Sequence, residues 1–290
     1  CEFFDRIEPG SSVNLLKFLN EGQYKYEIGM QKLVYKPGLS VTELLDAGLL
    51  KGMLRLHVFQ SMSAYVRKYF KDQRLIQLLE FPVLFLGASP QNTPALYSLM
   101  NYADMRLGTW YPKGGMFKII EGMVSLAESL GVKFRFNSTV EKIIVRDKQA
   151  DGLMVNGSEE NYDYIVAGAD YHHVEQHLLP AKHRKYDEDY WDARKLAPSS
   201  LIYYVGLNKK LTKLQHHNLF FDADFNKHAD QIYENPAWPE KPLFYVSCPS
   251  KTDATVAPES HENLFILMPS APGLIDTEGI HRKFLDHILT

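Results

Sequence analysis

The chain has 290 residues, of which 45% are hydrophobic and 23% charged, with a formal net charge of −3. These are the proportions of a globular protein long enough for two domains or one large one. Lys and Arg are scattered, which excludes the basic footprint of a nucleic-acid binder, and the two cysteines, Cys1 and Cys248, exclude a disulfide framework or a cysteine metal cluster and fit a reducing compartment.

No apolar run approaches the roughly 18 residues that a spanning helix requires, and no signal peptide is present. The sequence begins at Cys1 inside what reads as amphipathic helix. The expectation is an internal piece of a longer protein, so the missing targeting signals say little about the parent.

Residues 1 to about 80 read as helical. After Pro9-Gly10, Ser11 or Ser12 can cap a helix with Leu15, Leu16 and Leu19 on one face. Ser40 stands three before Glu43, a capping-box spacing that opens a short segment with Leu44 and Leu45. From Met53 to Phe70 apolar residues recur every three or four positions, which predicts one amphipathic helix. Asp72 caps the next, and the pattern breaks at Phe81-Pro82 into a short apolar strand or buried loop over 83–87. Thr93-Pro94 starts a helix to about 105.

The section from 116 to 170 has another character. Phe117, Ile120, Val124 and Ala127 mark a helical face closed by Gly131. Val132, Phe134 and Phe136 alternate with polar residues and predict a strand. Short strands follow at 140–145 and 152–156, joined by the turn at Asp147-Lys148-Gln149, and 162–170 reads as an apolar strand ending in small residues. That order is an α/β signature. A charged helical stretch then runs to about 195, followed by strands at 201–207, 243–247 and 264–268, with a polar connection between the first two. Patterning places the domain changes near 112 and again near 175–195.

Motifs speak less clearly. Pro112-Lys113-Gly114-Gly115-Met116 opens a helix, and two glycines there either let backbone approach a ligand or serve a loop needing positive φ. With no G-x-G-x-x-G or Walker pattern, the loop is the better reading from spacing alone. Ala167-Gly168-Ala169-Asp170 suits equally a ligand-facing strand end and a tight turn capped by Asp170. The pairs His172-His173 and His216-His217 invite a metal, but adjacent residues share no face, and no H-x-x-x-H or H-E-x-x-H pattern exists. Metal binding is rejected. No nucleophile elbow or reactive-cysteine context supports acyl transfer. Aromatic and Met residues are dense between 53 and 123; singly they read as core, and together they can line a long apolar cavity.

Several stretches, in order, resemble the bacterial phytoene desaturase family. They include Leu86-Gly87-Ala88-Ser89-Pro90, Gly108-Thr109-Trp110-Tyr111-Pro112-Lys113-Gly114-Gly115-Met116, Asn137-Ser138-Thr139-Val140-Glu141-Lys142-Ile143 and Ala167-Gly168-Ala169-Asp170. Tyr203-Tyr204-Val205-Gly206-Leu207, His216-His217 and Cys248-Pro249-Ser250-Lys251-Thr252-Asp253 continue the series over nearly the whole chain.

The resemblance implies an α/β protein similar in fold to the monoamine oxidases. A partial Rossmann-type FAD-binding domain (113–183) is interleaved with an α+β substrate domain of mixed sheet and helices (1–112 and 184–290). It implies FAD-dependent desaturation of an acyclic carotenoid precursor such as phytoene, or else carotene cis–trans isomerisation on the same scaffold. The partners implied are a long apolar polyene and, for the whole cytoplasmic protein, a membrane surface bound peripherally. Carried across by position, Val140 falls where the family's backbone recognises adenine. Gly114 and Gly115 fall at the helix start near flavin and substrate, and Gly168 and Ala169 at the strand end near the cofactor. The catalytic acid of some members falls at Glu43, although Asp46 stands where they carry arginine. The glycine-rich FAD segments of the family are not in this sequence, so the chain alone is expected to be an inactive piece without FAD.

Overall fold

The structure, a computed structural model, describes residues 2–35, 39–40, 55–84 and 86–289. Glu43 and Asp46 lie outside them. Contacts divide the chain into one unit of Cys1–Lys118 with Ala197–Thr290 and a second of Ile119–Leu196. The boundaries expected from sequence lay at 112/113 and 183/184.

The first unit begins with α1 (Glu2–Ile7) and α2 (Ser11–Ile28). Gly10, at φ 82°, occupies the cap position of α2, and the Asp5 carboxylate accepts the Ser12 N–H at 2.9 Å, so neither serine serves as the expected cap. Leu15, Phe18 and Leu19 are buried, while Leu16 is exposed. The helix expected over 53–70 is broken in its described part. Ser61 is extended and caps the short α3 (Met62–Val66). Backbone bonds from Met62 to Thr93 and from Ala95 to Gln60, both 2.7 Å, hold it against the 93–95 segment. Pairing with that segment outweighs the helical pattern, and Met62, Tyr65 and Val66 still reach the core.

Asp72 does cap α4 (Gln73–Leu84), accepting the Arg74 N–H at 2.9 Å. This helix continues through Pro82 where a break was expected. An interior proline costs about 3 kcal/mol, offset here by Leu75, Leu79 and Val83, which are all fully buried. From Ala95 the chain runs helically through α5 (Leu99–Tyr102) to Leu107, where Gly108 at φ 86° stops it. Lys25 on α2 is buried in this packing. Its Nζ donates to Ala95 O (3.0 Å) and Ser98 Oγ (2.9 Å) and lies 3.8 Å from the centre of the Tyr65 ring. Burial lowers its pKa to about 7.

At the junction lies α6 (Phe117–Ser129), closed by Gly131 at φ 85° with Val132 N–H bonded back to Ala127 O at 3.0 Å. None of its residues is buried. The second unit then forms an antiparallel meander, β1 (Val140–Arg146), β2 (Gln149–Val155) and β3 (Ser158–Asn161). Left-handed pairs Asp147-Lys148 and Asn156-Gly157 make its two turns. Ile143, Val155 and Val174 form its buried centre. Residues 132–136 and 162–170, expected as strands, run without a ladder among the described residues. Alternation marks the side-chain pattern but cannot supply a pairing neighbour. The charged stretch after Asp170 is several short turns, ending in the helix Glu188–Asp192.

Back in the first unit, β4 (Ser199–Leu207), β5 (His217–Phe220), β6 (Phe244–Ser247) and β7 (Glu262–Ser270) form an antiparallel sheet in the order β4-β7-β6-β5. α7 (Phe225–Tyr233) and α8 (Glu278–Leu289) accompany it.

Two outcomes test this account. Between pH 7 and 10 the unfolded chain holds a Lys25 proton that the folded protein has released, so stability rises with pH by up to about 1.4 kcal/mol per unit. Thermal midpoints across that window should rise more steeply for the native protein than for Lys25→Met, and parallel curves would refute the assignment. Gly152 faces Glu160 O across β2–β3, where a Cβ would sit at 2.4 Å. Gly152→Ala should therefore lose about 1–3 kcal/mol by overpacking, measured by urea unfolding.

Candidate active site

The site grows out of the sheet's two faces. Along β7 every second residue from Glu262 to Ser270 is buried, and Asn263, Phe265, Leu267 and Pro269 alternate with them, half-buried. Pairing carries this division to the neighbours: Tyr204 lies opposite Phe265, Ile202 opposite Leu267, Tyr245 opposite Leu267 and Leu219 opposite Tyr245. The buried face holds Leu264, Ile266 and Val246 in one core cluster and Leu201 and Met268 in another. The other face is open and aromatic, with Tyr204 82% exposed. Ring centroids on it succeed one another from Tyr204 to Phe265 at 5.6 Å, to Tyr245 at 6.4 Å and to His217 at 6.0 Å.

Against one end of this face lies an apolar pocket of about 260 Å³, lined among others by Phe81, Leu84, Phe221, Phe225, Tyr245 and Leu267. Its one imidazole, His228, is spent on structure: Nδ1 accepts the Leu243 N–H at 3.0 Å, so Nε2 carries the proton and donates to Pro269 O at 3.0 Å. Burial lowers the His228 pKa and keeps the ring neutral. Tyr233 ties α7 to the end of α4 by donating to Leu84 O at 2.9 Å, and burial pushes its hydroxyl up to about 12.

Beside the other end of the face lies a polar cleft of about 410 Å³ formed by Thr109, Tyr111, Lys113, His216, His217, Thr252 and Asp253. Three sequence blocks widely separated in the chain therefore meet in one place. His216 Nδ1 stands 2.6 Å from Thr252 Oγ1, and His217 Nδ1 stands 2.6 Å from the Tyr245 hydroxyl. Burial, and secondarily the neighbouring His217, lower the pKa of His216. Asp253 latches the glycine turn, accepting the Gly114 N–H at 2.6 Å while its other oxygen accepts the Thr255 hydroxyl at 2.6 Å. The bonds from Thr255 and Gly114 hold its carboxyl below the usual range.

Gly114 and Gly115 both take positive φ, 92° and 101°. Their N–H groups are committed, to Asp253 and to Pro112 O, so neither is offered to an anion. What the turn provides is close approach of backbone. Val140 begins β1, paired with Val155 ahead of a register shift, and Gly168 and Ala169 lie exposed on an extended segment, both in the second unit. The acid expected at Glu43 lies outside the described residues. Sequence reasoning missed Tyr245, Asp253 and the part played by His217. The histidine pair was visible, but the hydroxyls that meet its Nδ1 atoms come from residues 28 and 36 positions away.

Residues 24–272 match the profile of the flavin containing amine oxidoreductases. The chain is 37% identical over 287 residues to a carotenoid 3,4-desaturase of Haloarcula japonica, covering 99% of this chain and 58% of that protein. It is 31% identical over 266 residues to a zeta-carotene-forming phytoene desaturase of Myxococcus xanthus, covering 91% and 51%. Among solved structures, an oxidoreductase from Methanosarcina mazei aligns with a TM-score of 0.54 at 14% identity, over 87% of this chain and 56% of that one, which is a likeness of fold. The chain spans about half the length of the curated relatives it matches. With the profile matched over most of its residues, the chain belongs to the flavin-containing amine oxidoreductase family.

Proposed function

We propose that the chain is the substrate-binding part of a flavin-dependent carotenoid desaturase, which dehydrogenates an acyclic polyene such as phytoene. The observation that carries the reading is the open face of the β4-β7-β6-β5 sheet. It runs from an apolar pocket across aromatic rings to a polar cleft. A hydrocarbon offers nothing to hydrogen-bond, so a surface of rings and aliphatic side chains with few polar groups is what recognises it. The pocket's volume lies just below the roughly 300–1,000 Å³ of pockets that enclose a drug-sized ligand. It suits one end of such a chain, with the remainder lying along the rings.

FAD is the cofactor the family implies, and small residues in the second unit support a backbone site for it. Gly168 and Ala169 present main chain without bulky side chains, nothing lies within 4 Å of where a Gly168 Cβ would stand, and Val140 offers its backbone at the start of β1. These residues of the second unit would hold it. When bound, the flavin supplies the oxidant, taking up hydride. This chain's own residues then bind the polyene, orient it and exclude water.

A polyene of this kind resides in a bilayer, so the reading includes peripheral association of a cytoplasmic protein with a membrane surface. Among the described residues no helix is long and apolar enough to cross one.

Flavin-loaded full-length protein given phytoene should yield products with red-shifted polyene absorbance and a mass lower by pairs of hydrogens. Products of unchanged mass would instead identify an isomerase, and no product from any acyclic carotenoid would remove the reading. Tyr204→Ala with Phe265→Ala should weaken polyene binding about tenfold or more, each ring burying enough apolar surface for 1–2 kcal/mol. Titration by polyene absorbance shift is the measurement.

A further inference from the structure

Desaturation removes two hydrogens from neighbouring carbons, and this inference rests on the desaturase reading above. One hydrogen leaves with its electron pair to the flavin-type oxidant. The other leaves as a proton, and its C–H electrons become the second bond of the new alkene. That proton needs an acceptor on an otherwise apolar surface. Once the hydride has gone, the neighbouring C–H belongs to an allylic cation and is strongly acidic, so a base of ordinary strength suffices.

Few groups can serve. Among the described residues of the open sheet face, the titratable side chains are Tyr204, Tyr245 and His217. Neutral tyrosines do not accept a proton near pH 7, and burial raises the Tyr245 pKa further. His228 in the apolar pocket has both ring nitrogens occupied. His217 is exposed, and among the described residues its ring is hydrogen-bonded through Nδ1, to the Tyr245 hydroxyl at 2.6 Å.

We propose that His217 Nε2 is the proton acceptor of the dehydrogenation, with Tyr245 as the positioning residue that takes the Nδ1–H and so leaves Nε2 bare. Tyr245 also lines the apolar pocket, so the residue that fixes the imidazole is in contact with the space that holds the substrate. The titratable and charged groups around His217 are His216, Tyr245, Tyr111, Lys113 and Asp253. His216, ring-to-ring at 4.4 Å, is bonded to Thr252 through Nδ1, and burial lowers its pKa.

The assignment is tested in two ways. Histidine ¹⁵N NMR of this chain above pH 8, with no flavin present, should show His217 protonated at Nδ1 and bare at Nε2. In Tyr245→Phe the balance should move toward the Nε2–H form. The Nε2–H form in the native chain would overturn the proposal. In flavin-loaded full-length protein, His217→Gln should slow anaerobic flavin bleaching by an acyclic carotenoid about 100-fold or more. It should also remove the acid limb of the pH profile. Tyr245→Phe should keep the limb but displace it. A His217→Gln protein that bleaches at the native rate with the native pH profile refutes the proposal alone. Native protein that no carotenoid bleaches refutes the desaturase reading and this proposal together.

Discussion

The candidate site depends on the alternation of a single strand. β7 is paired with β4 along its whole length and with β6 over part of it, so its register fixes theirs. A slip of one residue would exchange the two faces, exposing Ile266 and Met268 and burying Asn263. Burial of the Leu264, Ile266 and Met268 side chains makes that exchange prohibitively costly. The same energy that holds the core therefore dictates that Phe265, Leu267 and Tyr245 share the opposite face. Core stability and ligand surface are two sides of one constraint.

Polar groups around the sheet divide into those consumed by structure and those left open. Glu262 is fully buried at the start of β7, paired with Lys251 and accepting the Leu211 N–H at 2.9 Å. Breaking such a pair would leave a buried charge uncompensated, so it fastens the 249–251 turn to the strand. That turn leads into Asp253, which in turn fixes Gly114. The cleft is thus assembled by a chain of satisfied carboxylates that crosses most of the sequence. His228 belongs with these structural groups, and its two occupied nitrogens keep it inert. His217, with a hydroxyl on one nitrogen, has the opposite disposition.

Much of this was legible in the residues. The apolar runs at 201–207, 243–247 and 264–268 became β4, β6 and β7, and Gly131 closes its helix as a glycine C-cap should. Failures occurred where a distant neighbour decided the outcome. Ser61 is extended because the 93–95 segment takes its flanking hydrogen bonds, and no local pattern records that. Pro82 stays inside α4 because three fully buried side chains outweigh its cost. β5 was read as polar connection, since His217-Asn218-Leu219-Phe220 puts one polar and one apolar residue on each face and shows no alternation. β3 was missed although Asn156-Gly157 announces a hairpin turn. The latch from Asp253 to Gly114 spans 139 residues and could not be seen without the fold.

The poverty of catalytic motifs in the sequence follows from the proposed substrate. Each polar group placed on a hydrocarbon-binding face must give up water when the ligand arrives, at a cost of about 1–3 kcal/mol where no partner replaces it. A face built for a polyene therefore keeps such groups few and confines them to one end. That is the arrangement here, with Lys113, His216, Thr252 and Asp253 gathered in the cleft beyond the rings. With the oxidant supplied by a cofactor, the protein needs one base and a dry, shaped surface. A site of that kind has no dense constellation for a motif search to find, because the chemistry that would produce one would repel the substrate.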